Sequence, residues 1–195
     1  GADPLQADEI EEARGVVAEE AETGDIPAST TVKASKQQIE KGLYAVAHRL
    51  ILADAMVHCA REGADWIVDL ATLTGAVLIG LGSTYAGLIS NDDDLAGEII
   101  AVGKRTGELV WRLPLHDEYK DLTKGTITDL VNASSQRKAG TIYAGSFLEE
   151  FTEGKPWAHL DIAGTAWDTG REYWGKGPTG FGVHLLIGLA RDLSA

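Results

Sequence analysis

Cysteine is almost missing from this sequence. Cys59 is the only one, so no disulfide can form within the chain and stability has to come from a packed core. Basic residues are scarce as well. The 17 Lys and Arg face 30 Asp and Glu, and the formal net charge of −13 repels nucleic acid and anionic lipid at long range. No basic stripe interrupts that balance, so neither nucleic acid nor membrane is expected as a partner. Long hydrophobic runs are also lacking. The longest, such as 76–82, fall far short of the roughly 20 residues that cross a bilayer. The first residues do not follow the basic-then-apolar order of a signal peptide, which with the lone cysteine gives the expectation of a cytoplasmic location. A Ser, His and Asp arrangement, a Cys and His dyad, a phosphate loop and zinc-finger spacing are all missing.

What is present fits one compact domain. The chain has 195 residues, 44% hydrophobic and 24% charged, and 23 glycines that imply many turns. Residues 1–34 read as an acidic helix over 3–21, opened by Pro4 and closed by Gly24, followed by a β-prone connector through Thr30, Thr31 and Val32. Residues 35–195 form the main body. Ser35 and Gln38 make a capping box, and Ile39, Leu43, Val46, Leu50, Ala53 and Val57 recur at helical spacing, which predicts a long amphipathic helix up to Arg61 with Gly63 as its stop.

The apolar run 66–70 reads as a strand buried on both faces, and 86–90 repeats it. Asn91 or Asp92 then caps a helix running to about Arg105, terminated by Gly107. A strand over 109–113, a helix over 138–151, a strand over 157–162 and a closing helix over 181–193 complete the alternation. The glycine-rich loop 164–180 is long enough to serve function or a subunit contact. This pattern places the chain in the α/β class, as a three-layer α/β/α domain with a mixed, largely parallel sheet.

Three blocks carry a resemblance: RLILADA at 49–55, DLATLTGA at 69–76 and WAHLDIAG at 157–164. YAGLISND at 85–92, WRLPL at 111–115, DLVN at 129–132 and the Gly-Val-X-Leu-Leu run from Gly182 support it. Their order and spacing resemble the leucine aminopeptidase (cytosol aminopeptidase) family over about 49–193, and more loosely back to about Asp25. The resemblance implies a truncated version of the family's catalytic domain, without its first half or the separate amino-terminal domain. It also implies a homo-oligomer, trimer or hexamer, and a peptide ligand.

The resemblance further implies two zinc or manganese ions that activate a bridging water, since paired cations about 3.5 to 4 Å apart stabilise nucleophile and oxyanion together. An aspartate and a glutamate ligand come from a loop that aligns with 43–49. Here those positions are Ala45 and Ala47, the family's glycine is His48, and only Arg49 matches. The resemblance gives Arg49 the role of holding a bicarbonate that shuttles protons; a structural salt bridge is the other reading. It also places Thr72, Leu73 and Gly75 along the substrate cleft and Ala163 in the wall of a specificity pocket.

His159 and Asp161, two apart on a strand, share one face and read as a structural pair in or near the core. With alanines in place of carboxylates, no metal and no cofactor is expected. Ala45, Val46 and Ala47 favour helix over an irregular ligand loop. The expected function is a catalytically inactive aminopeptidase-like domain with a structural or assembly role. The alternative is a metal-dependent aminopeptidase releasing N-terminal residues from peptides.

Overall fold

The computed structural model describes residues 36–125, 128–132, 138–167, 169, 170 and 176–193, with backbone alone for 36–47. The chain divides into two units between Tyr44 and Ala45, and the description below concerns the second. The helix expected at 3–21, the connector at 25–34 and the Ser35 cap lie outside the described residues.

Helix α1 spans Lys36–Arg61 and so runs through the stretch where the resemblance places a ligand loop. Gly63, at φ 91°, turns the chain out of it. Its buried face differs from the expected stripe. Leu50 is 49% exposed, whereas Arg49, Ala53, Met56 and Ala60 are buried. Apolar residues surround this helix on several sides, so spacing alone left the face ambiguous. Packing of Met56 and Ala60 in one core with Phe147 and Trp157 selects it.

Four strands form one mixed sheet: β1 (Ile67–Ala71), β2 (Ala86–Ser90), β3 (Val110–Arg112) and β4 (Trp157–Asp161), in the order β1-β4-β2-β3. The β1–β4 and β2–β3 pairs are parallel and β2–β4 is antiparallel. Every residue of the inner strands β2 and β4 is buried.

Helices cover both faces. On one, Leu88, Ala158 and Leu160 pack against Ile99 and Val102 of α3 (Asp93–Thr106) and Leu185 and Leu189 of α6 (Val183–Leu193). On the other, Ile67, Ile89 and Trp157 meet α1 and the Ala144, Phe147 and Leu148 side of α5 (Gly140–Glu149). The result is the expected three layers.

Helix ends follow local chemistry. Asp92 accepts from the Leu95 amide at 2.8 Å to start α3, acidic Asp93 and Asp94 occupy its first turn, and Gly107 closes it in the left-handed region. Helix α5 begins two residues later than the sequence suggested because Ala139 has φ 48°. Helix α6 also begins two residues later, because Gly182 has φ 99° and a Cβ there would lie 2.3 Å from Leu70 Cδ2. The buried Glu108 carboxylate accepts from the Leu185 amide at 2.6 Å and caps α6 from another element. Two short helices were not foreseen, α2 (Gly75–Leu81) and α4 (Asp117–Asp121). Among the described residues no helix is long and apolar enough to cross a membrane.

Candidate functional site

The resemblance blocks converge at the carboxyl ends of the parallel pair β1 and β4, where crevices in α/β sheets hold ligands. Asp161, the last residue of β4, is fully buried. Its Oδ1 accepts from the backbone amides of Leu73 at 3.1 Å, Thr74 at 3.4 Å and Ala163 at 3.2 Å. Its Oδ2 accepts from the Thr74 hydroxyl at 2.6 Å. Thr74 Oγ1 lies 2.8 Å from Thr141 Oγ1 and accepts from the Val77 amide, so the same side chain caps α2. Asp161 thus fastens the turn after β1 to the end of β4 and, through Thr74 and Thr141, to α5. Four donors satisfy it, which leaves little acceptor capacity for a metal or substrate.

Two residues back along β4, on the same face, sits a second network. In the β1–β4 register Asp69 is opposite His159. His159 Nδ1 is 2.5 Å from Asp69 Oδ1, and Trp157 Nε1 donates to Asp69 Oδ2 at 2.7 Å. The expected pairing of His159 with Asp161 is therefore corrected: both are buried in the fold, but His159 pairs across the sheet with Asp69. His159 Nε2 is buried without a partner.

Burial opposes charging His159, but the Asp69 carboxylate, by charge and hydrogen bond, outweighs it and raises the pKa above the ordinary 6.5. A raised folded-state value means that the protonated pair contributes stability fully below pH 6.5 and loses it as pH rises through the folded pKa. The urea-midpoint difference between wild type and His159→Gln is expected to be largest at or below pH 6.5 and to shrink above it. A difference that grows with pH contradicts the pairing.

Arg49 is buried on α1. Its Nη1 donates to the Asn132 carbonyl and, at 3.3 Å, to Asn132 Oδ1, while Nε is buried without a partner. It makes no salt bridge among the described residues. Burial lowers its pKa, opposed by the charge of Tyr143 and Asp161 nearby. The Tyr143 hydroxyl donates to the Val131 carbonyl, so Arg49 and Tyr143 both hold the chain at 131–132.

Of the residues the resemblance places along the cleft, Thr72 and Gly75 are exposed, Ala163 is half-buried, and the Leu73 side chain lies in the core. The amides of Leu73 and Ala163 are already committed to Asp161.

The donor set does not fit two divalent cations. Alanine at 45 and 47 offers no lone pair where the resemblance calls for carboxylates. His48 and His58 are both exposed and about 15 Å apart along α1 at 1.5 Å per residue. Among the described residues no group of three or more His, Cys, Asp and Glu could hold a metal ion.

Sequence reasoning did not single out Asp69, Trp157, Thr74 or Thr141. The signal for Asp69 was available: a carboxylate inside an apolar run needs a partner, even though β1 proves to be a half-buried edge strand rather than the doubly buried one expected.

Comparison with known proteins adds lineage to this geometry. The model of the cytosol aminopeptidase family, catalytic domain, matches residues 31–187. A "Probable cytosol aminopeptidase" of Solibacter usitatus (strain Ellin6076) is 49% identical over 148 residues, 75% of this chain and 31% of the relative. One of Chlorobaculum tepidum is 50% identical over 154 residues, 75% of this chain and 29% of the relative. The chain spans about three-tenths of the length of these relatives.

Proposed function

We propose that this chain, which belongs to the cytosol aminopeptidase family, keeps the framework of the catalytic domain without peptidase chemistry of its own and serves a structural or assembly role. The observation that carries the reading is the helical stretch through Ala45 and Ala47, where the resemblance calls for carboxylate ligands on a loop. Full engagement of Asp161 and Asp69 in the fold supports it, because neither is spare for a replacement site. A cytosolic trimer or hexamer is part of the proposal, and exposed apolar side chains on α1, Leu50 and Ile51, offer surface for such contacts.

The competing reading is a metal-dependent aminopeptidase acting on peptide amino termini, favoured by the names of the relatives. It has to find ligands elsewhere. Incubating the full chain with leucine p-nitroanilide and manganese or zinc decides between them. No turnover above a metal-free control is expected, and metal-dependent release of p-nitroaniline would establish the competing reading.

A further inference from the structure

Among the described residues strand β3 has a neighbour on one side only. The Leu109 carbonyl accepts from the Ala86 amide at 3.0 Å, and the Leu113 amide donates to the Leu88 carbonyl at 2.8 Å. Backbone groups alternate along a strand, so the N–H and C=O of Val110 and Arg112 face outward, away from β2, as an open row. No proline stands within this three-residue strand, and its charged member, Arg112, is paired with Asp93 at 2.7 Å.

Grooves flank this edge on both faces of the sheet. One, about 310 Å³, runs between β3 and α3 and is lined by Ile100, Lys104, Val110 and Arg112. The other, also about 310 Å³, lies past Trp111 and is lined by Val77, Ile79, Leu81, Leu113 and Ile142. Trp111, braced edge-on by Tyr85 with ring centroids 5.9 Å apart, is 57% exposed, and Ile79 is 91% exposed. An edge strand beside a helix, with side-chain grooves on both faces, is the arrangement by which sheets accept an added strand: backbone hydrogen bonds hold it and alternate side chains are read by the two grooves.

The two grooves differ in charge. The first presents the cations Lys104 and Arg112. Arg112 shares its charge with Asp93 at 2.7 Å, whereas Lys104 is exposed and forms no ion pair among the described residues. On a chain of net charge −13, this is a locally basic slot. The second groove is apolar.

We propose that the outer edge of β3 is a docking site for an extended segment of another polypeptide in which acidic and apolar residues alternate, carboxylates toward Lys104 and Arg112 and apolar side chains toward Trp111 and Ile79. It holds whether or not the chain hydrolyses peptides.

The test uses the full chain and a fluorescein-labelled peptide of alternating Glu and Val, with a Lys and Val peptide as control, read by anisotropy. The acidic peptide is expected to bind at least tenfold more tightly than the basic one, and the amides of Val110 and Arg112 to gain protection from hydrogen exchange. Val110→Pro, which removes an outward N–H without touching the β2 ladder, is expected to abolish binding. Lys104→Glu is expected to weaken it about fivefold and Trp111→Ala about tenfold, and these two carry the same test if the proline variant does not fold. Equal binding of the two peptides, or unaltered binding by all folded variants, overturns the proposal. A dimer in light scattering that Val110→Pro dissolves also overturns it, because a second copy would then fill the edge.

Discussion

Replacing Asp161 by alanine is expected to destabilise the domain by about 3 to 5 kcal/mol, measured as a fall in urea midpoint. Three backbone amides and the Thr74 hydroxyl lose their acceptor at once, in a place that solvent does not reach. The consequence spreads beyond one residue. Thr74 caps α2 and touches Thr141 of α5, so the turn after β1 and two helices loosen together. Domains are stable by only about 5 to 15 kcal/mol, which makes this loss a large share. Asp161→Asn keeps one carbonyl oxygen for the amides, and its NH2 can face Thr74 Oγ1 if that hydroxyl turns to Thr141; less than half the loss is expected. Equal stability of wild type and the alanine variant would show that this carboxylate does not fasten the sheet end, and would free it for a functional role.

Asp69→Ala is expected to cost a similar amount, about 3 to 5 kcal/mol, for a different reason. It leaves His159 fully buried with neither nitrogen satisfied and strips the Trp157 indole N–H of its acceptor. Both groups lie in a strand with no exposed residue, and the Asp69 side chain is itself only 10% exposed, so water is a poor substitute for the carboxylate. Asp69→Asn retains an acceptor for Trp157 but no longer favours the imidazolium. Its loss is expected to be smaller, and with burial then opposing the imidazolium the pH dependence that His159 gives the wild type is expected to vanish or reverse in sign. A variant that keeps that dependence would mean the charge on His159 answers to another group.

Much of the fold was legible because local chemistry and tertiary packing agree. Strand β2 matches its apolar run residue for residue, and α3 starts and stops where Asp92 and Gly107 dictate. Helix α2 was hidden because Gly75–Leu81 is an apolar run with two glycines, and the hydroxyl that caps it is held by Asp161, 87 residues away. The face of α1 was misread for a similar reason: apolar residues lie around much of the helix, and only contacts with α5 and β4 decide which are covered.

The site shows the same division. Spacing put His159 and Asp161 on one face, correctly, but the partner of His159 is fixed by the β1–β4 register, which no local pattern encodes. Ala45 and Ala47 were readable from the chain alone, since a missing carboxylate needs no tertiary information. Arg49, matched by resemblance to an anion-holding role, donates to Asn132, a contact 83 residues distant that no local pattern encodes.

The family framework is proposed to persist here without the family's pair of metal ions. Calorimetric titration of manganese into the full chain tests it most directly, because manganese prefers the oxygen ligands that Ala45 and Ala47 lack. The expected result is no saturable heat at micromolar concentrations, with the melting temperature unchanged by the metal. Two equivalents bound with micromolar affinity, and a melting temperature that rises with them, would contradict it.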